Sequence, residues 1–204
     1  MNLQECLTKL ARGKISNLPF CVGGYVKPEF LEKVIDAVNE SLNRLYTVFN
    51  IDEQSIEVPV EDKHIEYPLK GNILYVTRVH DNLGHRYAIN NPEERCSVFV
   101  TSVALTADLP EGVTSLKLFY RVKPEELTAE DFESEINIPD NLIGALLSYS
   151  AYLLHSDLNT QTAISNAQKY LVEYQTVVNE VIQQGTIVPE AILIAKKWKQ
   201  RGFV

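Results

Sequence analysis

IPDNLIGALLSYSAYLLH, residues 138–155, is followed by a polar break and a second run that closes on QQG at residues 183–185. Pro139 closes off the segment before it, and Asp140 or Asn141 stands where a helix cap belongs. Leu142, Ala145, Leu146, Tyr149, Leu153 and Leu154 recur mostly at three- and four-residue spacing, which predicts a helix with one broad apolar face. Ser156–Asn159 predicts a turn. Ala163, Ala167, Tyr170, Tyr174, Val177 and Val181 predict a second amphipathic helix, with Gly185 as its C-terminal cap. The short break between them predicts an antiparallel hairpin whose apolar faces need a cover.

The N-terminal part supplies candidates for that cover. Leu3, Cys6, Leu7 and Leu10 mark the inner face of a helix over Asn2–Arg12, ended by Gly13. Lys14–Lys27 reads as a loop. Its Gly23-Gly24 pair has no Gly-Lys-Ser/Thr ending and no clear preceding strand, so a phosphate loop is set aside and a flexible connection is expected. Pro28 and Glu29 suit a first helical turn. The helix they open runs to about Phe49, with Val34, Ile35, Val38, Leu42, Leu45 and Tyr46 on its apolar side.

From Ile51 the period changes to two. Ser55–Val60 reads as a short strand that Pro59 places at a sheet edge or ends early. Tyr67-Pro68-Leu69 leads into a strand over Ile73–His80, with Ile73, Tyr75, Thr77 and Val79 on one side. Asp81–Gly84 is a hairpin turn, His85–Ile89 returns, and Asn90-Asn91-Pro92 breaks the strand. Arg95–Ala107 reads as one long strand, and Leu109–Gly112 as a turn. Val113–Val122 alternates as an antiparallel strand with one covered face does. Lys123–Asn137 is an acidic connector expected to be solvated. The expected fold is therefore α+β. Residues 1–50 and 138–204 form an antiparallel helical bundle, and residues 51–137 form an inserted antiparallel β module with the connector.

At 204 residues the chain suits one domain, or one domain with an insertion, and its 45% apolar and 23% charged content is that of an ordinary soluble protein. No apolar run reaches the length of about 18 residues that a membrane helix needs. The N-terminus lacks the pattern of a signal peptide. The net charge of −8 argues against a surface that grips nucleic acid throughout. Cys6, Cys21 and Cys96 fit no zinc spacing and no disulfide framework, so reduced thiols are expected. No nucleophile elbow or zinc-protease motif occurs, and no catalytic, cofactor-binding or metal residue is assigned. His80 and His85 flank one hairpin turn, where plain hairpin surface is the simpler reading than a metal pair with Asp81. His155 sits in a last helical turn and complements the dipole. A final short helix is expected over Pro189–Gln200, ahead of a basic end carrying Trp198, Arg201 and Phe203.

Several segments, in order, resemble those of a known family. They are the long helix Pro28–Phe49, the step into strands at Ile56–Pro59, Glu66–Leu69 before a strand, and the Asp81–Gly84 hairpin. Leu118–Pro124 followed by Leu127-Thr128, then Ile138-Pro139, then Leu146–Leu154 complete the set. Together they resemble the head-to-tail adaptors of tailed bacteriophages, also called head completion, neck or connector proteins, which include the tail tubular A proteins. The resemblance implies a structural virion protein and no enzyme. It implies a ring, typically of twelve copies, in the neck of the virion between portal protein and tail or nozzle protein. The ring would extend the channel, and double-stranded DNA would pass through it without specific binding. Such a protein is made in the host cytoplasm and needs neither membrane nor cofactor. It further implies that the C-terminal stretch from Ile187, with Trp198, Arg201 and Phe203, docks on the portal. Tyr149, Tyr152, Tyr170 and Tyr174 are then expected at core and inter-subunit contacts. The Lys14–Lys27 loop matches nothing in that family. The alternatives are another virion part, such as a tail terminator or baseplate component, and a small metal-dependent enzyme built on His80, His85 and nearby carboxylates.

Overall fold

The computed structural model describes residues 1–69, 72–94, 97–101 and 104–185. The chain divides into two compact units, one from Met1–Ile51 with the chain from Pro124 onward, the other Asp52–Lys123.

The first unit is helical. Asn2 caps α1 (Leu3–Arg12), its Oδ1 accepting from the Glu5 backbone N–H at 2.8 Å, and Leu3, Cys6, Leu7 and Leu10 are buried. The Lys14–Lys27 segment is not a flexible connection. Cys21–Val22 (β1) and Tyr25–Val26 (β2) pair antiparallel, and Gly23 and Gly24 turn between them at φ +59° and +81°. Two successive positive φ values make this a primed two-residue hairpin turn, which side chains other than glycine, asparagine or aspartate strain. A 3-10 turn at Pro28–Phe30 opens α2 (Leu31–Val48), and another at Asp140–Leu142 opens α3 (Ile143–Ser156). Asp140 and Asn141 thus lie inside the turn, and no side-chain bond caps α3. Thr160 caps α4 (Gln161–Gln184), and Gly185 ends it in the left-handed conformation at φ +66°.

These helices pack closely through small residues. A Cβ on Gly144 would sit 3.7 Å from a Val177 methyl, so α3 and α4 meet at van der Waals contact. Between α2 and α3, buried Ser150 places its hydroxyl 2.9 Å from both Ser41 Oγ and the Leu146 carbonyl, while Ser41 donates to the Ala37 carbonyl at 2.6 Å. The acidic connector belongs to the same unit. The Leu3 and Gln4 N–H groups donate to the carbonyls of Ser134 and Phe132 at 3.2 and 3.0 Å, and Ile136 N–H donates to the Met1 carbonyl at 2.9 Å. The Asn39 side-chain amide bonds both backbone groups of Leu127 at 2.9 Å. Leu127 and Ile136 are buried while the glutamates face outward, so only the charged side of this segment is solvated.

The second unit corrects the expected architecture. Its strands are Glu53–Pro59 (β3), His64–Pro68 (β4), Ile73–Asp81 (β5), Arg86–Ile89 (β6), Ser97–Val100 (β7), Ala104–Asp108 (β8) and Ser115–Val122 (β9). They form one seven-stranded sheet, curled like half a barrel, in the order β3-β9-β5-β6-β7-β8-β4. Among the described residues the fold is α+β with four α-helices and this large sheet, rather than a helical bundle carrying a small β module. The sheet is also mixed, because β6 and β7 run parallel, Ala88 opposite Ser97 and Ile89 opposite Val98. Arg95–Ala107, read as one strand, contains the antiparallel pair β7 and β8, and Tyr67-Pro68 belongs to β4, one of the two edges. Both edge strands end on proline, Pro59 and Pro68, which offer no N–H to a further strand. Register shifts at Leu74 and Thr77 change the facing of β5. Val76 and Val79 are buried instead of a strict alternation from Ile73. The first and last strands are neighbours, and Val122 N–H donates to the Asp52 carbonyl at 3.2 Å.

A core of Val58, Val79, Val98, Leu105, Leu116 and Leu118 lies under this sheet. One carboxylate organises its β5–β6 turn. Asp81 Oδ1 accepts from the N–H groups of Leu83 and His85 at 2.9 and 2.8 Å. Its Oδ2 meets His85 Nδ1 at 3.0 Å and accepts from the Tyr87 hydroxyl at 3.1 Å. Burial pushes the Asp81 carboxyl up, but these bonds outweigh it and hold it below the usual carboxylate range. A lowered folded-state value stabilises the fold above the unfolded value of about 3.9. That contribution is lost as pH falls through the folded value. Asp81→Ala, which leaves the Tyr87 hydroxyl without this acceptor, is expected to cost about 2–3 kcal/mol in urea unfolding at pH 7. Asp81→Asn is expected to flatten the loss of stability below pH ~4 relative to the parent.

Candidate functional site

Among the described residues, no group of three or more His, Cys, Asp or Glu side chains is placed to hold a metal ion. His80 and His85 do not act as a pair. His80 lies opposite Arg86 in the ladder and sets its ring edge-on to Phe119 at 5.6 Å, while His85 is committed to Asp81. A shallow depression at Ser97, Phe99 and Thr106 holds about 150 Å³, below the roughly 300–1,000 Å³ of a small-molecule pocket.

The α3–α4 hairpin is the surface with an unusual composition. Among its residues α3 has no Asp, Glu, Lys or Arg, and α4 has three charged side chains in 24, Lys169, Glu173 and Glu180. Gln, Asn, Thr and Ser occupy most of the exposed positions of α4, along with Ile164 and Val172, 46% and 60% exposed. A protein surface designed for solubility carries about 25–35% charged residues. Depletion of charge with retained aromatics marks the core of a protein interface.

The four tyrosines assigned to contacts divide into two groups. Tyr149 packs on Tyr152 and Tyr174, ring centroids 5.4 and 4.8 Å apart. Tyr174 is buried, whereas Tyr149 and Tyr152 are half-buried. Burial pushes the Tyr149 and Tyr174 phenols up, and Arg44, hydrogen-bonded to Tyr174, opposes it. Tyr170 stands apart, with its ring 5.3 Å from His155 and Lys14 Nζ 4.9 Å above it. Lys14 also pairs with Glu173. His155 is a core residue rather than a dipole cap: it is fully buried, and its Nε2 donates to the Lys14 carbonyl at 3.1 Å. Its Nδ1 is buried without a hydrogen-bond partner among the described residues. This Lys14–His155–Tyr170–Glu173 cluster was not legible in the sequence, because 141 residues separate Lys14 from His155. The remaining candidates, Ile187, Trp198, Arg201 and Phe203, lie outside the described residues, as does Cys96.

No protein-family model matches the chain, and no curated protein matches its sequence.

Neither described thiol is set up as a nucleophile. Cys6 is buried in α1, and burial pushes its thiol up to about 12, with Lys9 only partly opposing. Cys21 is shifted upward for the same reason. Cys6 is expected to resist iodoacetamide at pH 8 in the native protein and to react fully in denaturant, as read by peptide mass spectrometry after timed quenching.

Proposed function

We propose that this chain is a structural subunit of the ring that joins the portal of a tailed bacteriophage head to its tail. The observation that carries the reading is α4, whose exposed positions are mostly uncharged and include Ile164 and Val172, as on a surface that is covered on assembly. The order of segments along the chain points the same way. The net charge of −8 suits a wall past which a duplex slides instead of being held. Among the described residues no helix is long and apolar enough to cross a membrane. The C-terminal stretch from Ile187 is assigned to the portal, and the neck of the virion is the assigned location.

Negative-stain imaging and light scattering of the chain with portal rings from the same virus test this. Closed rings stacked on the portal are expected, with the free chain smaller than a ring because the template favours closure by mass action. A chain that stays unattached at high portal concentration removes the reading. A second expectation concerns the tail. Deleting residues 187–204 should leave the melting of the two units unchanged and abolish portal attachment. Full-affinity binding by the shortened chain shows that the tail has another role.

A further inference from the structure

We propose that the tip of the β1–β2 hairpin docks on the acidic connector of a second copy of this chain, head to tail. The contact would serve the ring proposed above and rests on that reading. Val22 and Tyr25 stand out from the hairpin, 63% and 60% exposed. The Gly23-Gly24 turn holds them in place. At Gly24 a Cβ would lie 3.0 Å from Arg12 Cγ, so glycine lets the turn sit against the end of α1. The Arg12 guanidinium covers the Tyr25 ring at 5.5 Å, and its Nη2 donates to the Tyr25 hydroxyl at 3.3 Å. Exposed tyrosine with stacked arginine and an apolar neighbour is the composition of an interface anchor.

Charge selects what this anchor meets. Residues 6–28 include Lys9, Arg12, Lys14 and Lys27 and no carboxylate. Lys14 is already paired with Glu173, and Lys9 turns toward Met1, its Nζ 3.9 Å from the sulfur. Arg12 and Lys27 are the cations left beside the tip, with Glu29 the next carboxylate along the chain. The complement is the connector, where Glu125, Glu130 and Glu133 are exposed and form no ion pair among the described residues. Its backbone is fixed by the bonds to Met1, Leu3 and Gln4, so its charges are presented on a set frame. The two surfaces belong to opposite ends of α1: the connector bonds its first residues and the hairpin covers its last. Ten residues at about 1.5 Å each hold those ends roughly 15 Å apart. Unlike surfaces at two ends of one body pair heterologously, which is the geometry that closes rings.

The full-length chain with Arg12→Glu and Lys27→Glu, the full-length chain with Glu130→Lys and Glu133→Lys, and their equimolar mixture make the test. Arg12, Glu130 and Glu133 are exposed and Lys27 is half-buried with its Nζ 6.0 Å from the Phe30 ring centroid, so circular dichroism checks that each variant is folded. In low salt the parent is expected to give carbodiimide cross-links between Lys27 of one copy and the connector glutamates of another, proven intermolecular by isotope mixing. Each variant alone should lose about tenfold in cross-linked dimer, and the mixture should recover it, because a reversed tip again faces a reversed connector. Failure of the mixture to recover, or cross-links running from the glutamates to Lys196, Lys197 or Lys199 instead, overturns the contact. Attachment to portal rings is read separately. Reversed variants that form rings as the parent does remove the contact and keep the connector assignment. A parent that cross-links as expected but never rings on the portal keeps the contact and removes that assignment.

Discussion

The helical unit depends on a closure that the chain makes late. Its first fifty-one residues and its last helices are separated by the whole sheet, so nothing local holds them together. The three backbone bonds from the Met1–Gln4 segment to the connector and the Asn39 clamp on Leu127 bring the returning chain into register beside α1 and α2. Leu127 and Ile136 then enter the same core as Leu3, Leu10 and Leu45. Contacts of such sequence separation are costly in chain entropy and are made only when much burial follows. Here burial follows at once, because α3 begins within a few residues of Ile136 and brings Leu142, Leu146 and Leu154 with it.

The polar groups inside that unit orient the helices. Ser41 and Ser150 put hydroxyls face to face where leucines would hold α2 and α3 further apart. His155 ties α3 to the segment after α1 through one carbonyl, and the ring of Tyr170 from α4 covers it. A buried polar group that has its partner specifies one arrangement more sharply than apolar contact does, since any other arrangement leaves it unpaired.

The helices were legible because their apolar residues recur at helical spacing over long runs, and local signals such as Asn2 and Gly185 mark their ends. The alternation of β9 was equally plain. What the sequence concealed lay in non-local pairing. The run Arg95–Ala107 has no glycine or proline to announce the division into β7 and β8. β4 is five residues long and ends on the proline that made it read as a connection. The two register shifts in β5 move its buried residues off a period of two, which no count of alternation detects. Asn90 at φ +53° bonds both backbone groups of Val100 through its side chain at the exit from β6, beside the parallel pair that breaks the expected antiparallel pattern. At the candidate surface the tyrosines were visible, but their division around Tyr174 and around His155 is set by the α3–α4 crossing. The Gly23-Gly24 pair was the signal nearest to hand. Two glycines between short apolar pairs mark a primed hairpin, a local signal distinct from that of a phosphate loop.

Because β3 and β9 are neighbours and antiparallel, the inserted sheet begins and ends at the same corner. A pull applied through the two chain junctions, at Asp52 and Lys123, therefore opens that corner like a zipper. It breaks the Val122–Asp52 bond first and then one cross-strand pair at a time, instead of loading the ladder in shear. The sheet is in this sense mechanically soft toward its own attachment points, while its interior pairs, β5 with β9 and β5 with β6, are loaded only after the edge has peeled. Tension between the two junctions would reach this edge first. The burial of Val58 beneath it sets how much of that tension the first strand can bear.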